Sequence, residues 1–251
     1  MSVRREGGLL LGALLPDRVR WAEETHEHAP VWLFPEEEAL MARAVPGRRG
    51  EFATGRLCAH RALAALGVPA SPLLRGRRGA PAWPEGTVGS ITHCAGYRGA
   101  AVARSARFLA LGIDAEPHAP LPSGVHEAVV FGAEEARLRE LAARRPDIAW
   151  DRLLFSAKES VYKAWSGYGG AWLGFEDAEV RPCPPPRART APSGTVGRFR
   201  ARLLVPSPAG PSPFPRVLPG RWLVREGLLL TAVAVPRPVP PPHRTAEKEH
   251  P

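Results

Sequence analysis

The sequence predicts a chain of mixed helices and strands, the α+β class, and three patterns carry that expectation. Residues 154–165 place Leu154, Ala157, Val161, Ala164 and Trp165 on one face of a helix turning about 100° per residue. Residues 109–116 alternate with a period of two. This puts Leu109, Leu111 and Ile113 on one face of a strand and Gly112, Asp114 and Glu116 on the other, before Pro117 stops it. Residues 198–205, 222–225 and 228–235 read as further strands. At 251 residues with 44% hydrophobic content, the chain can build one large domain or two small ones.

Taken in order, residues 1–35 mix short apolar runs with Trp21, Trp32 and several prolines, and read as irregular structure with one strand. A helix starts near Pro35, because Glu36, Glu37 and Glu38 then fall in the first turn, where the helix dipole favours acids. A second helical stretch covers 48–67, with Phe52, Leu63 and Leu66 as core contacts and Arg48, Arg49 and Arg56 on a basic edge. Residues 74–84 form a basic loop punctuated by Gly76 and Gly79, a type of segment that can cradle a polyphosphate. Strands follow at 86–94, 99–103 and 108–116, with a hairpin turn at 104–107. A linker and a helix at 133–145 lead to the helix through 154–165. Residues 167–174 read either as a ligand-contacting loop or as a turn packed under Trp172. A proline-rich insertion occupies 206–219, and the polar, proline-rich tail at 236–251 is expected to be disordered.

The formal charge of +9 implies an anionic partner: nucleic acid, a membrane surface, a polyphosphate or an acidic protein. Arginine supplies most of the positive charge and favours bidentate phosphate contacts, although abundant Ala, Gly, Pro and Arg also fit a GC-rich coding sequence. No helix-turn-helix, zinc finger or aromatic sheet platform is visible, which leaves a basic nucleic-acid-binding module as the runner-up. Cys58, Cys94 and Cys183 are odd in number and far apart, against a disulfide framework or zinc site and in favour of a reducing cytoplasm. Arg4-Arg5 and the apolar stretch 7–15 only faintly imitate a signal peptide, since no small-x-small site follows Pro16, and they read as an early buried element. No stretch approaches the roughly 18 apolar residues of a membrane span.

Two segments stand out chemically: Gly112-Ile-Asp-Ala-Glu116 and Phe155-Ser-Ala-Lys-Glu-Ser-Val-Tyr-Lys-Ala-Trp165. Each has a plain reading. Glu159 and Lys163 are spaced i,i+4, the spacing of a solvated surface pair worth roughly 0.3 to 0.5 kcal/mol. Asp114 and Glu116 can be the polar end of a strand. Together, three carboxylates whose only compensating neighbour is Lys163 suit a hard divalent cation that carries phosphates.

This pair of segments, in this order and spacing, resembles the signature of the Sfp-type 4′-phosphopantetheinyl transferases, in the branch related to enterobactin synthetase component D. The likeness spans roughly residues 35–235. It implies a pseudo-dimer of two similar α+β halves with the active site in the cleft between them. The halves would be residues 1–116 and 117–235. It also implies transfer of the 4′-phosphopantetheine arm of coenzyme A to a serine of an acidic apo carrier protein, as in polyketide, nonribosomal peptide or siderophore synthesis. Magnesium, or manganese in its place, would be held by Asp114, Glu116 and Glu159, with Ala115 offering only its backbone carbonyl. Glu159, Lys163 and His93 would be the catalytic set, Glu159 taking the serine proton and Lys163 steadying the diphosphate. Coenzyme A would meet Arg48, Arg56, Arg75, Arg78, Thr92, His93, Asp114, Lys158, Glu159, Lys163 and Leu173. Thr92-His93 stands where the family has Ser-His, so the hydroxyl is kept. A cytoplasmic monomer that engages neither nucleic acid nor membrane completes the expectation.

Overall fold

Prolines fix where the first helices begin. The computed structural model describes residues 10–25, 31–76, 79–184, 194–207 and 214–238, so Arg78 and the tail beyond 238 lie outside the described residues. A short 3-10 turn at Leu11–Ala13 leads into strand β1 (Arg20–Glu24). Pro35 and Pro46 then open α1 (Pro35–Leu40) and α2 (Pro46–Ala65) in the first turn, where a missing N–H removes no helical bond. Glu37 completes the start of α1 by accepting the Phe34 N–H at 3.2 Å.

The rest of the chain runs β2 (Thr87–Cys94), β3 (Tyr97–Arg104), β4 (Phe108–Pro117), α3 (Val125–Val129), α4 (Ala133–Arg144), α5 (Trp150–Gly167), β5 (Ala178–Cys183), β6 (Thr195–Leu203), β7 (Val217–Arg225) and β8 (Leu228–Pro236). Among the described residues these form five helices and two antiparallel sheets, ordered β1-β3-β2 and β4-β8-β7-β6-β5, so the α+β expectation holds. Strand β5 escaped the sequence reading because only Ala178, Val180 and Pro182 point inward and no long apolar run marks it. Strand β7 starts at Val217, within the stretch read as a proline-rich insertion.

Strand β4 departs from simple alternation. Its register with β8 shifts between Phe108 and Ala110, so Leu109 turns to the core around α5 while Leu111, Ile113 and Ala115 enter a different one. A bulge thus breaks the expected face of Leu109, Leu111 and Ile113. Leu111, Ile113 and Ala115 pack with Leu10, Leu14, Tyr97 and Ala101 in a layer joining the five-stranded sheet to the N-terminal half. The segment from Leu10 to Leu15 is therefore a buried element, as its composition implies.

Helix α5 packs the opposite face of the five-stranded sheet. Leu153, Leu154, Val161 and Trp165 are buried in that core, each worth about 1.5 to 3 kcal/mol of transfer free energy. Gly112 is what lets α5 approach β4: a Cβ there would overlap the Ser160 carbonyl. The charged side of α5 is consequently no solvent face. It is wedged against β4, with Ser156, Lys158 and Ser160 also buried.

Candidate active site

Strands β2 and β4 belong to different sheets yet lie side by side, joined through side chains rather than a backbone ladder. Ser90 and Thr92, two residues apart and so on one face of β2, accept the N–H groups of Ile113 at 3.1 Å and Ala115 at 3.0 Å. The Thr92 hydroxyl also donates to Asp114 Oδ1 at 3.3 Å. Its hydrogen-bonding capacity is thereby directed to β4, so this hydroxyl positions a carboxylate instead of reaching into the neighbouring cleft. Sequence reasoning missed Ser90; the alternating Ser90-x-Thr92 was the available signal.

Lys163 does not form the i,i+4 surface pair with Glu159. Its ammonium donates to Asp114 Oδ1 at 2.7 Å and to the Ile113 carbonyl at 3.1 Å. Asp114 is 5% exposed, and its Oδ2 is buried without a hydrogen-bond partner. Such an orphan is costly unless something supplies positive charge to it. Glu116 accepts from Arg152 Nη1 at 2.8 Å. Burial raises the pKa of both Glu116 and Glu159, and the Asp114 charge raises them further, against the pull of Arg152 on Glu116 and of Lys163 on Glu159. Three mutually repelling carboxylates, one with an unpartnered oxygen, are the donor type that a hard divalent cation takes. Among the described residues no three His, Cys, Asp or Glu side chains are drawn close enough to form a ready metal cage; Lys163 and Arg152 stand at Asp114 and Glu116 instead. The Ala115 side chain is buried in the inter-sheet core, which leaves only its backbone for ligation.

Lys163 also lines a cleft of about 650 Å³ together with Arg48, Arg56, Arg75, His93 and Tyr162, a size suited to a large cofactor-like ligand. Arg48 Nη1 donates to His93 Nε2 at 3.1 Å, so Nε2 is the acceptor and Nδ1 carries the proton. Burial lowers the His93 pKa, and Arg48, Lys163 and Arg98 add to this while Glu51 opposes it. Arg56 is buried, with its guanidinium 4.5 Å over the Phe52 ring and its Nε 3.7 Å from Glu37. Arg75 lines the cleft, is exposed, and makes an antiparallel bridge with Pro81.

Behind this wall lies a residue the sequence reading treated only as a first-turn acid. Glu37 is fully buried and accepts from His60 Nε2 and from the Leu73 N–H, both at 2.9 Å, while facing Arg56. One carboxylate therefore ties α1, α2 and the start of the Arg75 loop together. Burial opposes its ionisation, but the bonds from His60, Leu73 and Phe34 prevail and its pKa is lowered.

A second pocket of about 380 Å³ is lined by Glu159, Tyr162, Trp172 and Leu173, so Glu159 borders a separate recess from the arginines. Lys158 also lines this pocket, but its ammonium is committed to the carbonyls of Val129 and Phe175, both at 2.8 Å, and to Glu134 at 2.7 Å. At 2% exposure Lys158 is a buried strut, with no donor left for a ligand. Trp172 is 72% exposed and meets the Tyr162 ring at a tilt of 60°; the glycine turn packs on Trp165, whose indole donates to the Ala171 carbonyl.

An α+β chain whose arginine-lined cleft reaches, through Lys163, the buried Asp114 at the junction of two sheets belongs to a recognised class. The family profile described as "4′-phosphopantetheinyl transferase N-terminal domain" matches residues 36–103, and that of the "4′-phosphopantetheinyl transferase superfamily" matches residues 110–205. The chain belongs to the 4′-phosphopantetheinyl transferase superfamily and is a transferase. It is 51% identical over 244 residues to 4′-phosphopantetheinyl transferase Svp of Streptomyces mobaraensis, covering 95% of this chain and 94% of that protein. It is 45% identical over 233 residues to 4′-phosphopantetheinyl transferase PptT of Mycobacterium tuberculosis, covering 91% and 99%. Enterobactin synthase component D of Salmonella typhi is 35% identical over 160 residues, covering 63% and 64%. These relationships set aside the nucleic-acid-binding module.

Proposed function

We propose that the cleft binds coenzyme A with its adenosine 3′-phosphate toward Arg48, Arg56 and Arg75, and that the diphosphate lies against His93 and Lys163. The observation that carries this reading is Lys163, which lines the arginine cleft and at the same time holds Asp114. The serine hydroxyl of an apo carrier protein attacks the β-phosphorus of coenzyme A. A new phosphorus–oxygen bond forms to serine, and the bond to the bridging oxygen breaks. Adenosine 3′,5′-bisphosphate leaves with that oxygen. Glu159, with its raised pKa, takes the serine proton, because a base poised nearer the working pH transfers protons more effectively. Magnesium, or manganese in its place, when held by Asp114, Glu116 and Glu159 would neutralise the diphosphate. Lys163 orients Asp114 and faces the diphosphate oxygens, while Thr92 donates to the same Asp114 oxygen, Oδ1, and leaves Oδ2 open.

In this reading residues 1–116 supply the arginine wall and residues 117–235 supply α5, with β4 as the seam between them. A cytoplasmic monomer is our working assignment, consistent with three free cysteines. Incubation with coenzyme A, magnesium chloride and an apo carrier domain, followed by intact-mass spectrometry, tests the reaction. The carrier should gain one phosphopantetheine group; absence of that gain with the wild-type enzyme across several carrier domains defeats the proposal.

A further inference from the structure

The outer face of the β5-β6-β7 part of the sheet carries a charge pattern that the active site does not use. Alternation sends Arg198, Arg200 and Arg202 of β6 outward, while Thr195, Gly197, Phe199, Ala201 and Leu203 turn in. Arg181 of β5 and Arg221 of β7 are exposed beside them. The register places Arg181 directly opposite Arg200 and Arg198 directly opposite Arg221. Like charges facing each other across strands destabilise a sheet. Glu179 alone compensates, holding Arg181 and Arg202 at 2.7 Å each. Arg198, Arg200 and Arg221 make no ion pair among the described residues.

We propose that this arginine face docks an acidic protein surface, and that the protein is the serine-bearing carrier substrate. Glu179 shows how the lattice receives a carboxylate: Oε2 accepts from both Nε and Nη2 of Arg202, and Oε1 accepts from Nε of Arg181. Edge strand β5 separates this face from the chemistry by the thickness of one sheet. Ala178, at the start of β5, lines the same pocket as Glu159 on the side that packs α5, and Arg181 follows three residues on, about 10 Å along the strand and pointing to the other side, so a partner reaches both by spanning the β5 edge. A partner offering a serine at Glu159 therefore lies beside β5. The outward positions of β5, β6 and β7 carry no aromatic ring, so the stacking surface that single-stranded nucleic acid requires is missing. The inference rests on transfer to a protein serine, and it concerns how that protein is held.

The test compares the wild type with the triple variant Arg198→Ser, Arg200→Ser, Arg221→Ser, using coenzyme A, magnesium and an apo carrier domain. The KM for the carrier should rise about 10-fold at low salt and lose most of its salt dependence, with kcat and the KM for coenzyme A unchanged. The melting temperature should stay level or rise, because two facing arginine pairs are relieved. Glu179→Gln, which frees Arg181 and Arg202, should lower the carrier KM and decides the matter if the triple variant folds poorly. A carrier KM within twofold of wild type in both variants overturns the proposal. So does binding of duplex DNA or anionic vesicles that the triple variant loses while its carrier KM stays unchanged. A wild type that modifies no carrier at all would instead fail the transfer reading itself.

Discussion

At single residues, Glu159 and Lys158 are neighbours in sequence with opposite assignments. Glu159→Gln keeps shape and removes charge, so turnover should fall at least about 10²-fold if Glu159 takes the serine proton or helps hold the cation. Its folded-state pKa lies above the ordinary value, which means the charged form is disfavoured by folding. The associated stability is full below the unfolded pKa and lost as pH rises through the folded one. Glu159→Gln should therefore flatten that decline and leave the protein no less stable at neutral pH, as urea titrations at several pH values would show. Wild-type turnover in this variant removes Glu159 from the mechanism. For Lys158→Met the expectation reverses: Glu134 is left buried without its cation, stability should drop by about 3 to 5 kcal/mol, and the KM for coenzyme A should not move specifically.

Among the elements, legibility followed the strength of the local signal. The helix 150–167 could be read because the apolar period over 154–165 is unbroken, and Asp114, Lys163 and Glu116 form an electrostatic cluster with Glu159 in the sense that each acts on its ionisation. Pairing inside the cluster could not be read, since the i,i+4 rule describes an isolated helix, whereas Gly112 brings α5 onto β4 and gives Lys163 a nearer acid. The bulge at Leu109 and the short strand β5 were invisible for a related reason: both depend on which neighbour the strand pairs with. Nor does sequence show that Thr92 faces a strand of the other sheet. That seam yields an element-scale prediction. Thr92→Val leaves the Ala115 N–H without its acceptor and Asp114 without one donor, so the magnesium requirement should rise while the KM for coenzyme A stays within about twofold. Thr92→Ser, which keeps the hydroxyl, should restore it. A rise confined to the coenzyme A KM would return Thr92 to the phosphate-binding role implied by the family resemblance.

Over the whole molecule, the two halves meet through one apolar layer and one polar line, and charge is arranged unevenly between them. The arginine wall is organised from behind by Glu37, whose carboxylate reaches α2 through Arg56 and His60 and the Arg75 loop through the Leu73 N–H. Because its folded-state pKa is lowered, Glu37 contributes stability that is present above the unfolded pKa and lost as pH falls through the folded one. Across the cleft the sign is opposite: Glu116 and Glu159 have raised pKa values, so at neutral pH their charges strain the fold until a cation is bound. A ligand that binds only the folded state stabilises it by about 2.7 kcal/mol at a hundredfold excess over its dissociation constant. Magnesium alone, without coenzyme A or carrier, should therefore raise the melting temperature at pH 7. The increment should shrink in Asp114→Asn and Glu159→Gln, and it should persist in Glu37→Gln, whose stability should instead lose its acid-side dependence. Calorimetric scans of the four proteins with magnesium chloride against sodium chloride of equal ionic strength separate specific binding from screening. An equal rise in all four, or none in the wild type, would show that the three carboxylates do not hold the cation.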